Sequence, residues 1–299
     1  MSAQSSAIVV GAGAFGVAAA LELRRRGHAV KLVDPGPLPH PDASSTDINK
    51  FVRMDYGGDD LYTDLGAAAL ARWDEWNAAW PVPPYRESGL LVLAGRSMEP
   101  GSFEFESFVR VESRGASPVR VDSPGALARF PPWASAADRY PDGYFNPRAG
   151  CAASGDVVAT LLDRAAAAGV TIRAGVAVAR LVEQGAHVRG VCLVDGDCLE
   201  ADVTVVAAGA WTPALLPFLG DRMWATGQPV FYLRVDDPSA YRPPAFPCWA
   251  ADIARTGWYG FPANDDGILK IANHGPGRRV HADDPRNVTA EDVERLRAF

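Results

Sequence analysis

Gly11-Ala12-Gly13-Ala14-Phe15-Gly16 follows a short apolar run and opens an Ala/Leu-rich segment. That spacing suits main-chain recognition of a pyrophosphate. Gly11 permits a tight strand-to-helix turn, Gly13 lets the backbone approach the phosphates, and Gly16 allows close helix–sheet packing. The N–H groups around Ala14 and Phe15 at the helix start, with the positive end of the helix dipole, then favour an anion. Asp34 lies eighteen residues beyond Gly16 at the end of the next apolar run. A carboxylate there accepts hydrogen bonds from ribose hydroxyls and disfavours a 2′-phosphate, which argues against NADP. Glycines and alanines also serve plain helix–sheet packing, but here strand, helix, second strand and acidic end all occur together. The motif alone leaves FAD and NAD both open.

Three further segments gather ionisable and aromatic side chains. Ala43 to Gly57 contains Ser44, Ser45, Lys50 and Arg53. The serine hydroxyls can donate to phosphate, although turns use serine too. Lys50 and Arg53 can meet phosphates, or pair with Asp47 or Asp55 at a basic helix start. Val205 to Thr212 is an apolar run ending in Ala208-Gly209-Ala210-Trp211. Trp258-Tyr259-Gly260-Phe261-Pro262 precedes Ile268-Leu269-Lys270-Ile271-Ala272-Asn273-His274, with eleven residues from Tyr259 to Lys270. No metal site is expected, because His28, His40, His187, His274 and His281 are scattered without ligand spacing. Neither a GxSxG elbow nor a P-loop is present.

These segments, in this order, resemble the DAO-type FAD amine oxidases, the family of fructosyl-amino-acid oxidase and monomeric sarcosine oxidase. The Asn49-Lys50-x-x-Arg53-x-x-Tyr56 core and Asp60-Leu61-Tyr62 are more similar to the fructosyl-amino-acid branch. The resemblance implies FAD as cofactor, with Val178, Gly209 and Trp211 joining the glycine loop, Ser44, Ser45 and Lys50 around it. It also implies that Tyr259, Lys270, His274 and Arg53 form the substrate face. The implied reaction oxidises a secondary amine of an amino acid to an imine while oxygen becomes hydrogen peroxide. Lys270 would then stabilise charge developing on oxygen, where an isolated strand lysine normally points to water. Tyr259 would wall the pocket, and His274 would sit near the substrate unless it is simply structural.

The family continues into a further C-terminal portion that carries a cysteine joined covalently to flavin. No cysteine of this chain stands at the matching place, so none is assigned that bond. Thr289 to Phe299 begins as a helix should, with Thr289 as N-cap and Asp292 three residues on. Its stripe of Val293, Leu296 and Phe299 has no evident partner, and the expectation is that a C-terminal portion is missing.

The elements that must position these groups follow from apolar periodicity. Ala7 to Val10, a helix to about Arg26 and Ala29 to Val33 form a βαβ unit. A helix is expected over Leu61 to Trp80, a strand over Glu87 to Ala94 and a helix over Val157 to Ala168. Asp195-Gly196 marks a hairpin between Val188 to Val194 and Cys198 to Val203. After Trp224 strands dominate, whereas Arg96 to Asn146 gives weak signals. The expected architecture is α/β, a Rossmann-like FAD-binding domain of the glutathione-reductase type with a mainly antiparallel substrate domain. Both are discontinuous: 1–86 with 147–222 for the first, 87–146 with 223–299 for the second. The middle hairpin is expected to share the first domain's sheet.

Composition sets the outer bounds. The chain has 299 residues, room for two domains at about 150 each. Acidic residues outnumber basic ones 36 to 29 for a net charge of −7, which disfavours nucleic acid and anionic membranes as partners. Ala7 to Leu21 is too short and glycine-rich to span a bilayer, and no Lys or Arg precedes it as in a signal peptide. Cys151, Cys192, Cys198 and Cys248 lack CxxC spacing and are expected to be thiols in a cytoplasmic, reducing setting. A peroxisomal address is not formed by Arg297-Ala298-Phe299, though a lost tail could have held one. Three readings follow: an FAD-dependent amine oxidase, a nicotinamide-dependent dehydrogenase, and a catalytically inactive nucleotide-binding fragment.

Overall fold

Ser6–Val10 is a strand whose last four residues are buried. Such an all-apolar run needs cover on both faces, as in the middle of a parallel sheet. The computed structural model describes residues 4–299 and gives it that place. The sheet order is Val203–Val206, Ser6–Val10, Ala29–Asp34, Thr171–Ala174, all parallel. Val9 pairs with Val205 on one side and Leu32 on the other. Helices Ala14–Arg25 and Ser154–Ala167 pack together. The second buries Val157, Val158, Leu161, Leu162 and Ala165, one face at helical spacing.

The chain divides into two compact units. The first comprises the chain up to Ile48, Ala153–Thr226 and Arg279–Asp284; the second comprises Asn49–Ala152, Gly227–Arg278 and Pro285–Phe299. Residues 49–86 and 147–152, assigned above to the first domain, therefore go with the second, while 223–226 and 279–284 go with the first. Lys50–Val52 and Tyr85–Arg86 both pair with Gly150–Ala152, and those ladders tie the segment there.

Within the first unit the hairpin does not extend the parallel sheet. Val178–Gln184, His187–Leu193 and Cys198–Glu200 form a separate antiparallel sheet. Its register sets Cys192 directly opposite Cys198, and the two are joined by a disulfide. This corrects the expectation of four thiols: only Cys151 and Cys248 are free, and both are buried.

The second unit is built on a seven-stranded sheet. Its order is Val230–Arg234, Ile268–Asn273, Trp258–Phe261, Cys248–Ala251, Leu90–Ala94, Asp142–Asn146, Val119–Arg120. Pairing is antiparallel except between Cys248–Ala251 and Leu90–Ala94. Alternation along Leu90–Ala94 feeds two cores. Leu91 and Leu93 join Trp249, Trp258 and Leu269 on one face, while Leu90, Val92 and Ala94 join Tyr144 and Phe261 on the other.

Helix Ala290–Ala298 starts at the capping box of Thr289 and Asp292. Its apolar stripe has a partner after all. Leu296 and Phe299 pack on the first of those cores, and the Phe299 ring stacks with Trp249 and Trp258 at 5.6 and 5.3 Å between centroids. Among the described residues no helix is long and apolar enough to cross a membrane.

Candidate active site

The glycine loop of the first unit is sterically fixed. Gly11 has φ +97°, and a Cβ there would lie 2.5 Å from the Ala207 carbonyl oxygen. A Cβ on Gly16 would stand 1.8 Å from the Gly11 oxygen. Helix and strand touch here with no room for a methyl group. Gly13 differs: a Cβ would meet only the Ser45 Oγ, at 3.1 Å, so this glycine keeps the outer face of the loop open. Gly13 is also the N-cap of helix Ala14–Arg25, with no side-chain cap and no acidic residue in the first turn. The helix thus presents its positive end without an internal anion to satisfy it.

Ser45 Oγ accepts a hydrogen bond from the Ala14 N–H at 3.1 Å, leaving its own proton to donate outward. Ser44 is exposed in the adjoining turn. Asp34 is buried, and its carboxylate accepts from the Ala12 N–H at 2.8 Å and from the Gly36 N–H at 3.0 Å. It braces the loop from behind, and each oxygen retains a second lone pair for a ribose hydroxyl. Phe15 is 88% exposed, so it serves the loop through its backbone. Val178 packs its side chain on the core of Ile8, Val10 and Val33. Gly209 opens a short turn to Trp211, whose indole donates to Asp283 at 2.6 Å. Open backbone, an uncapped helix start and an outward serine proton fit the pyrophosphate of a dinucleotide.

In the second unit, Lys50, Arg53, Tyr259 and His274 line one cavity of about 260 Å3. Phe51, Tyr56, Phe103, Ile253 and Phe261 supply most of its walls, and Asp55 adds a carboxylate. Phe51 packs on Phe261 and Tyr259 with ring centroids 4.4 and 5.3 Å apart. His274 is exposed, and its main-chain N–H donates to Gly257 at 2.6 Å.

Lys270 does not line the cavity, nor does it reach water. It is 1% exposed, its Nζ donates to the Asn49 carbonyl at 2.8 Å, and the ammonium sits 4.7 Å over the ring of Phe261. Carbonyl and π-face together offset the loss of hydration.

Lys50–Val52 is a strand, not the basic helix start considered above, and Arg53 does not pair with Asp55. The guanidinium lies 4.2 Å over the Tyr56 ring. Asp55 instead accepts from the Tyr144 hydroxyl at 2.7 Å and the Asn146 amide at 3.0 Å. Burial pushes its carboxyl above the ordinary range, and the nearby Arg53 charge opposes that. Burial and the Asp55 charge also drive the Tyr144 hydroxyl well up. Asp55, Tyr144 and Asn146 were not among the expected site residues. Tyr144 and Asn146 come from the stretch of weak signal, and Asp55 showed only as a possible ion-pair partner.

Residues 6–299 match the family model of FAD dependent oxidoreductases. The chain belongs to that family. It is 27% identical over 289 residues to N-methyl-L-tryptophan oxidase of Salmonella newport, covering 93% of this chain and 72% of that one. Monomeric sarcosine oxidase of a Bacillus species is 24% identical over 307 residues, covering all of this chain and 76% of the relative. The fold matches fructosyl peptide oxidase from E. terrenum with a TM-score of 0.77 at 21% identity, over 91% of this chain and 64% of that one. It also matches Amadoriase II from Aspergillus fumigatus with a TM-score of 0.74 at 22% identity, over 100% and 70%. The chain thus spans less than two thirds of the fructosyl peptide oxidase. The cofactor of this family is FAD, and the nicotinamide reading is set aside.

Proposed function

We propose that the chain is the catalytic part of an oxidase that converts the secondary amine of an amino acid to an imine, with oxygen reduced to hydrogen peroxide. The observation that carries this reading is Arg53. Its guanidinium faces an aromatic-walled cavity, stacked on Tyr56, and among the described residues no carboxylate lies within ion-pair distance. An arginine held that way suits a carboxylate brought by the substrate.

The glycine loop, the N–H groups at the helix start and Ser45 would hold the pyrophosphate of FAD, and Asp34 its ribose. When bound, FAD supplies the two-electron acceptor that amino-acid side chains lack. The protein's own contributions are position and electrostatics. Phe51, Phe103, Ile253 and Phe261 exclude water from the amine, and Tyr259 forms a wall with its hydroxyl as a polar handle. Lys270 contributes a fixed, buried positive charge that favours negative charge developing on oxygen.

The relatives act on N-methyl-L-tryptophan and sarcosine, and the aromatic walls here favour the bulkier, more apolar amine. The test is a visible spectrum of the purified chain with FAD, followed by a peroxide assay. The panel is sarcosine, N-methyl-L-tryptophan and a fructosyl amino acid. Flavin bands with peroxide release from at least one secondary amine support the proposal. A protein that binds FAD but is reduced by none of them refutes it.

A further inference from the structure

The cavity contains a buried carboxylate that amine oxidation, as described so far, leaves without a task. Asp55 lines the cavity yet is only 2% exposed. Its two oxygens are oriented by Tyr144 and Asn146. Both donors are neutral, so they satisfy geometry without cancelling charge. Lys50 and Arg53 line the same cavity, but among the described residues neither meets Asp55 within ion-pair distance.

Opposite charges that share an apolar-walled cavity normally collapse onto each other, because each is costly to leave unpaired away from water. Here packing prevents it. Arg53 is held against Tyr56, and Asp55 is tied to the strand Asp142–Asn146 through two hydrogen bonds. A cavity with a cation and an anion kept apart is complementary to a ligand that carries both charges.

We propose that Asp55 is the counter-ion for the ammonium of the substrate, so that the cavity selects zwitterionic amino acids over acids lacking the amine. Arg53 takes the carboxylate end and Asp55 the nitrogen. Tyr144, Asn146 and the Met54 backbone donate to the Asp55 carboxylate, and of its four lone pairs one remains, enough to accept an N–H. This assignment rests on the amine-oxidase reading above, and adds to it the residue that recognises the amine.

The test uses the FAD-loaded protein and two acids that it cannot oxidise, 2-aminoisobutyrate and 2-hydroxyisobutyrate. They are near-isosteric, and the second replaces ammonium with hydroxyl. Dissociation constants come from calorimetry, independent of turnover. The unmutated protein is expected to bind the amino acid at least tenfold more tightly than the hydroxy acid. Asp55→Asn should abolish that preference while leaving hydroxy-acid affinity within twofold.

Asp55→Asn turns an amide toward the Asn146 amide and can cost folding. The double variant Asp55→Asn with Asn146→Asp restores donor to acceptor and moves the charge to a side chain that does not line the cavity, so it is read by the same criteria. An intact preference in either folded variant, or equal weakening of both acids, overturns the assignment, since Asp55 would then only support the wall. Failure of the unmutated protein to bind either acid removes the amino-acid site altogether, and the proposed function with it.

Discussion

Gly16 makes a sharp demand on a single position. Its missing side chain lets the helix rest on the Gly11 carbonyl, and a Cβ would arrive at 1.8 Å. Gly16→Ala is therefore expected to displace the loop and weaken FAD retention at least tenfold, read as flavin absorbance per protein after gel filtration. Full retention would show that the loop is not the phosphate seat. Lys270→Met should act elsewhere. It removes the buried charge but keeps an unbranched side chain against Phe261. We expect anaerobic flavin reduction by substrate to persist and reoxidation by oxygen to slow by about 10²-fold, the scale of losing one preorganised electrostatic contact. Unchanged reoxidation in stopped flow would separate Lys270 from oxygen chemistry. The glycine loop was legible in sequence because its six residues are contiguous and Gly11 and Gly16 answer to local steric demands. The burial of Lys270 could not be read from its spacing, since nothing in a strand pattern marks a lysine that turns inward. Asp55 was not legible either, because its partners lie 89 and 91 residues away.

Individual elements carry their own tests. The strand Asp142–Asn146 begins at Asp142, whose carboxylate accepts from Arg120 at 2.7 Å and from the Met98 N–H at 2.7 Å. Burial alone would raise its carboxyl, but Arg120 and the Met98 and Gly143 amides outweigh that and hold it below the usual value. The sign follows from linkage. A lowered folded-state value means the unfolded chain binds the proton more readily, so the stabilisation is present above about pH 4 and fades as pH falls further. Asp142→Asn should lower the melting temperature at pH 7 and flatten the dependence below about pH 4; an unaltered acid limb would assign it to other carboxylates. Helix Ala290–Ala298 is anchored by Phe299, which also stacks on the Trp249 and Trp258 rings. Because Phe299 is half-buried, Phe299→Ala is expected to cost about 1–2 kcal/mol, less than a full core deletion, measured by denaturant titration. Its cap could be read from Thr289 and Asp292 because capping is local. Its partners could not, because they come from distant strands. The disulfide shows a signal passed over: Cys192 and Cys198 stand three residues either side of Asp195, so an even hairpin register sets them face to face. Thiol titration of the unfolded, unreduced protein should therefore count two groups, rising to four after reduction.

The whole molecule was legible in its class and less so in its seams. Parallel strands announced themselves as unbroken apolar runs, and the later strands by their turns. The boundary near residue 48 was hidden, because Lys50–Val52 and Tyr85–Arg86 are short and acquire meaning only through Gly150–Ala152. The placement of Ser6–Val10 has a further consequence in the cell. This strand leaves the ribosome well before Val203–Val206, one of its two neighbours. At about 5–20 residues per second, roughly 10–40 s pass between synthesis of the two. During that interval a hydrophobic strand has one bare edge, an invitation to pair with another nascent chain on the same message. Production of the protein should thus depend on prompt translation and chaperone shelter far more than its finished stability would suggest.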